Sequence, residues 1–141
     1  MKKRLLQNLL ALGLVLFTLN LWSQNILICG SPSTASWNAD VQSKLIATGQ
    51  FTTVNYFNTQ NATPTLADLL SYDAVLNYTD AYVSNPAQLG DNLAAYIDQG
   101  GAVVNCVFAM ATVPIGGAFA NGSTYAVALY GGSQDQPGNL T

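Results

Sequence analysis

Four short apolar runs, separated by helix-patterned segments, constrain this chain more than any single residue does. "NILICG" at 25–30 is continuously apolar and closes on glycine, as a strand covered on both faces should. "FTTVNYFN" (51–58), "DAVLNYT" (73–79) and "AVVNCVFA" (102–109) supply three more strands by their β-branched and aromatic content. Between them the period changes. Trp37, Val41, Leu45 and Ile46 recur at helical spacing until Gly49 stops the segment. "TPTLADLLSY" gives a short helix in which Thr65 and Asp68 have capping-pair spacing. In a third helix Asn85 caps, Pro86 takes the first position, and Gly100-Gly101 end the segment. Leu89, Leu93, Tyr96 and Ile97 form its apolar face. This alternation predicts an α/β fold with a parallel sheet and helices on both faces.

The rhythm breaks after Ala109. "MATVPIGGAFANGSTYAVALYGG" carries Pro114, two glycine-rich breaks and an Asn121-Gly122 turn, which predicts a hairpin or extended segment. "SQDQPGNLT" is polar and loop-like, with no helix left to close the sheet. That pattern is expected of the N-terminal part of a longer chain, with one sheet face partly bare.

Residues 1–24 have the layout of a bacterial-type secretory signal peptide. Met1-Lys2-Lys3-Arg4 is basic, Leu9 to Leu19 is almost wholly apolar, and small Ser23 lies near a cleavage point. Gln7, Asn8 and Asn20 leave the run shorter than the roughly 20 apolar residues of a spanning helix, so no stable membrane anchor is expected. A lipoprotein signal fits less well, because bulky Ile28 directly precedes Cys29. The chain beyond, about 118 residues and rich in apolar side chains, is long enough for one domain over 25–141. Export predicts a secreted or cell-surface protein.

Removing the leader leaves Lys44 as the only basic residue against seven aspartates. Such a chain cannot neutralise phosphates, which excludes nucleic acid and anionic membrane surfaces as partners. The sequence has no histidine and no clustered acids to hold a metal, and no glycine-rich nucleotide motif. No cofactor is expected. Four Asn-X-Ser/Thr triplets, at Asn61, Asn77, Asn121 and Asn139, read as accidents of an Asn/Thr-rich composition behind a bacterial-type leader.

The stretch "YDAVLNYTDAYVSNPAQLGDNLAAYIDQGGAVVNCVFA" resembles the strand–helix–strand centre of class I glutamine amidotransferase-like domains, near the trehalose-utilisation-like (ThuA-like) group. The resemblance covers residues 25 to 110 and rests on motifs of low specificity. It implies a flavodoxin-like sheet of order 2-1-3-4, with any site at the C-terminal ends of the strands. In catalytic members a cysteine follows this strand on a G-x-C-x-G elbow, and Cys106 falls at the matching place. Val104 and Phe108 stand where the glycines belong, and no histidine is present to act as base. Cys106 is therefore expected in the core. In that strand order Cys29 and Cys106 lie two strand spacings apart, roughly 9–10 Å, beyond the reach of a disulfide. Two buried free thiols are predicted.

Two polar groups collect at the predicted strand ends. Ser31 and Ser33 follow the first strand, where they either hold an anion or, the blander reading, cap the helix near Trp37. Asn77, Tyr78, Asp80 and Tyr82 follow the third strand. An aspartate among amides and aromatic faces is what sugar binding uses; packed tyrosines under a capped turn are the plainer alternative. The expected function is a non-catalytic module of a larger exported or surface protein, binding a carbohydrate or a protein partner through these residues. The alternative is an amidotransferase-like or hydrolytic enzyme using Cys106 or Asp80.

Overall fold

The computed structural model of the chain describes residues 24–121 and 124–125, so the expected signal peptide and the later part of the expected hairpin lie outside the described residues. In order, the elements are β1 (Asn25–Ser31), α1 (Trp37–Ala47), β2 (Thr53–Asn58), α2 (Leu66–Leu69), β3 (Ala74–Thr79), α3 (Pro86–Asp98) and β4 (Ala102–Asn105). A 3₁₀ turn (Val107–Met110) and a short helix α4 (Gly117–Ala120) follow. All four strands run parallel, in the order β2-β1-β3-β4. This is the flavodoxin-like arrangement that the resemblance implies.

Strand β1 is central because it is the most apolar segment, and every residue after Asn25 is buried. Its side chains alternate between two cores. On one face Leu27 and Cys29 join Val75 of β3, Leu89, Leu93 and Tyr96 of α3, and Ile115 and Phe119 beyond β4. On the other, Ile26 and Ile28 pack with Val54 beneath Val41 and Leu45 of α1. Each fully buried side chain of this size contributes roughly 1.5–3 kcal/mol. The larger core belongs to α3.

Local signals set the helix ends as expected. Thr65 and Asp68 form a reciprocal capping box on α2, the Asp68 N–H reaching Thr65 Oγ1 at 3.2 Å and the Thr65 N–H reaching Asp68 Oδ2 at 2.8 Å. Asn85 Oδ1 accepts the Gln88 N–H at 3.0 Å, with Pro86 at the first helical position.

Two expectations need correction. The fourth strand stops at Asn105 rather than Ala109. Asn105 lies opposite Asn77, and the Cys106 N–H still donates to Asn77 O at 2.9 Å, but β3 ends two residues later at Thr79. Nothing remains for residues 108 and 109 to pair with, and the backbone winds into the 3₁₀ turn. The described part of the expected hairpin, residues 110–121 and 124–125, is the end of this turn, a link, α4 and a further turn, with no strand. It packs on α3: the Gly116 N–H donates to Pro86 O at 2.9 Å and the Ala118 N–H to Asp91 Oδ1 at 2.7 Å. The segment fills the core on that side. On the α1 side, β4 stays uncovered among the described residues, and Val104 is 61% exposed.

This docking explains a glycine inside α3. A β-carbon at Gly90 would lie 1.8 Å from Gly116 O. In an exposed helix, Gly→Ala gains about 1 kcal/mol; here the backbone of the link must move, at a cost of about 1–3 kcal/mol for overpacking. Gly90→Ala is expected to lower the midpoint of urea unfolding, and a raised midpoint would show that the link does not press on α3.

Candidate functional site

The outgoing ends of β1, β3 and β4 and the start of α1 surround one cleft of about 240 Å³, lined by Trp37, Tyr78, Thr79, Asp80, Cys106 and Phe108. Its construction begins at Gly30. A β-carbon there would lie 1.9 Å from Asn38 Oδ1 and 2.6 Å from the Tyr78 ring. Glycine leaves room for these two side chains to meet over the backbone of β1, and the Tyr78 hydroxyl donates to Asn38 Oδ1 at 2.6 Å. Asn38 is buried and its Nδ2 donates to Gly30 O at 3.4 Å. Burial, and to a lesser degree the charges of Asp80 and Cys106, push the Tyr78 hydroxyl up to about 12. It stays a neutral donor, and the ring is fixed as one wall.

The loop after β3 is pinned to the end of β1. Ser31 O accepts the N–H groups of Asp80 (2.8 Å) and Ala81 (2.9 Å). The Ser31 hydroxyl lies 2.8 Å from Ala81 O and 2.5 Å from Tyr82 O, positioned to donate to either. Ser31 is fully buried, so its polar groups serve the loop and none faces a ligand. The Ser33 hydroxyl donates to Asp80 Oδ2, holding the carboxylate at the rim. Neither serine caps α1, whose N-cap Ser36 makes no side-chain capping bond.

The six residues singled out from sequence therefore separate. Tyr78 and Asp80 line the cleft, Ser33 orients Asp80, and Ser31 anchors the loop. Asn77 alternates to the α3 face, where its Nδ2 donates to Asn105 Oδ1 at 2.5 Å. Tyr82 is 68% exposed and stands outside the lining. Trp37 and Phe108, 42% and 48% exposed, were not singled out. The signal for Trp37 was available: the helix after β1 must start at the C-terminal end of the sheet, where the strand ends gather their loops.

Cys106 also departs from expectation. Cys29 is buried as predicted, but Cys106 is only half-buried, in the wall of the cleft. Both thiols are free, and the strand order keeps them apart. The backbone at Cys106 is ordinary extended chain (φ −80°, ψ 154°), without the strained turn of a nucleophile elbow. Burial raises its thiol above the usual range. Its ionisable neighbours in the lining, Tyr78 and Asp80, are acids, and neither is a base or cation that could generate a thiolate. Among the described residues no three His, Cys, Asp or Glu gather to hold a metal ion. What the site offers is three aromatic walls and a carboxylate at the rim.

Burial pushes the Cys29 thiol up to about 12 from 9.0, which cuts its thiolate fraction near neutrality about a thousandfold. Alkylation by iodoacetamide at pH 8 is expected to modify Cys106 slowly and Cys29 only on unfolding; fast Cys106 labelling would reveal an activated thiol. Because the folded value exceeds the unfolded one, the stability Cys29 confers is complete below pH 9 and declines as pH rises from 9 toward 12.

Comparison with protein-family models, with curated proteins and with solved structures finds no match to this chain.

Proposed function

We propose that this chain is a non-catalytic α/β module of a larger exported or surface protein, and that its cleft at the strand ends takes a single carbohydrate ring. The observation that carries the reading is the convergence of Trp37, Tyr78 and Phe108 from three different elements around Asp80. A sugar ring presents C–H faces that stack on aromatic rings and hydroxyls that donate to a carboxylate. A volume of about 240 Å³ lies below the usual range of pockets for drug-sized ligands, which suits one ring. The acidic chain repels anions, so a neutral ligand fits its charge. The resemblance to amidotransferase-like domains supports the placing of a site at these strand ends, with its catalytic elbow lost.

Trp37 is the only tryptophan of the chain beyond the leader and reports on the cleft directly. Titration with neutral mono- and disaccharides is expected to give a saturable change in its fluorescence. Phe108→Ala and Asp80→Asn are each expected to weaken binding at least about tenfold, or about 1.4 kcal/mol. A flat response across the panel would sink the reading. Hydrolysis of an activated ester that disappears in Cys106→Ser would replace it with the enzyme alternative.

A further inference from the structure

We propose that the free edge of strand β2 is a docking site for an extended, basic and aromatic peptide segment of a partner protein, which adds to the sheet as a fifth strand. The ladder shows which groups are free. Gly30 and Asn58 are opposite each other, and the Thr59 N–H donates to Gly30 O at 3.0 Å. In a parallel ladder the bonded residues alternate, so Thr53, Asn55 and Phe57 turn their main-chain groups to β1, and Val54, Tyr56 and Asn58 turn theirs outward. Gln42 Nε2 donates to Val54 O at 2.6 Å, in agreement with that direction. Among the described residues no side chain bonds the N–H or the carbonyl of Tyr56.

Edge strands of soluble proteins are normally blunted by charge, proline or a bulge. "TVNYFN" carries no charge and no proline, its pairing with β1 is unbroken from Asn25–Thr53 to Gly30–Asn58, and Tyr56 is 47% exposed. Beside this edge lies a second cleft of about 200 Å³, lined by Leu27, Tyr56, Phe57, Asp68, Ser71 and Tyr72. It shares no lining residue with the cleft at Trp37. At about 30 Å³ per water-sized group it holds roughly seven heavy atoms, the size of one aromatic side chain. Hydrogen bonds hold one wall in place: Asn55 Nδ2 donates to the Tyr72 hydroxyl at 3.0 Å, and the Tyr96 hydroxyl to Tyr72 O at 2.8 Å.

Charge selects the partner. Asp68 lies in the lining, and the Thr65 hydroxyl and main-chain bonds hold its carboxyl below the usual range, so it is anionic at the mouth. Beyond the leader the chain has one lysine and seven aspartates, and Lys44 is engaged with Asp40 at 2.7 Å. Strand addition draws affinity from main-chain bonds and specificity from pockets that take alternate side chains. Here the pocket takes an aromatic side chain and Asp68 favours a neighbouring Lys or Arg.

The test pans a random seven-residue peptide library, displayed on phage, against the full chain. Sequences pairing an aromatic with a basic residue are expected to be enriched over an unrelated acidic control protein. A synthetic peptide of that sequence should slow hydrogen exchange at the Tyr56 amide at least tenfold. Tyr56→Pro removes the outward N–H together with the Tyr56 ring that lines the cleft, at a place where edge strands tolerate proline, and Ser71→Lys puts a cation beside Asp68. Each is expected to weaken the peptide at least tenfold while leaving saccharide titration at Trp37 unchanged. Four results would overturn the proposal: no enrichment, unchanged exchange at Tyr56, protection of that amide by saccharide alone, or self-association through β2 that excludes the peptide.

Discussion

Strand β1 is bonded along both edges and covered on both faces, and every other element takes its position from that burial. A segment as apolar as "NILICG" cannot stand at the edge of a sheet without exposing its side chains. Placing it between β2 and β3 satisfies its main-chain groups on both sides and forces a right-handed crossover for each connection. The first helix then falls on one face and the third on the other. The strand also ends at the one point where its neighbours' loops can be reached. Ser31, its last residue, holds the loop after β3 with its carbonyl and its hydroxyl. The strand that organises the core thus also sets the rim of the cleft.

The cleft depends on small residues as much as on large ones. Gly30 has no side chain, so Asn38 and Tyr78 close over it, and their hydrogen bond fixes a ring that would otherwise rotate into the space beside it. The same logic governs α3, where Gly90 lets the link from β4 lie directly on the helix. Both glycines cost conformational entropy in the unfolded chain. Each is retained where a backbone or a polar pair has to approach more closely than a methyl group allows.

What the sequence revealed and what it hid divide along the range of the interactions. The parallel sheet with helices on both faces followed from the alternation of apolar runs and helical periods, whereas the strand order came from the family resemblance. The ends of α2 and α3 followed from Thr65, Asp68, Asn85 and Pro86, all of which act within four residues. The end of β4 did not, because it is set by the length of β3, and "AVVNCVFA" carries no local stop signal. Ser31 had the composition of a ligand or a cap, but its partners lie 50 and 51 residues away. Cys106 was placed in the core because the elbow glycines and a histidine base are missing from the sequence. Strand β4 is an edge, and beyond it the chain coils away from the sheet, which leaves the thiol in the cleft wall. In the site itself, Tyr78 and Asp80 were legible as a cluster, whereas Trp37 and Phe108 meet them only through the fold.

The two edges of the sheet have different fates, and that difference bears on how such a module can work. Strand β4 is four residues long and ends in a 3₁₀ turn, so it offers a partner strand little length to pair with. Strand β2 is longer and uncharged, and among the described residues the outward N–H and carbonyl of Tyr56 have no partner. The cleft at Trp37 is built from side chains at strand ends, held by Gly30, Asn38 and Ser31; the β2 edge is built from main chain, backed by Tyr72. The two share no lining residue, and the connection between them runs through β1, which is packed on both faces and paired on both edges. If both proposed sites bind, two separate surfaces on one sheet would suit a module that holds one component while presenting another. Coupling between them would require β1 to move, and its burial makes that costly.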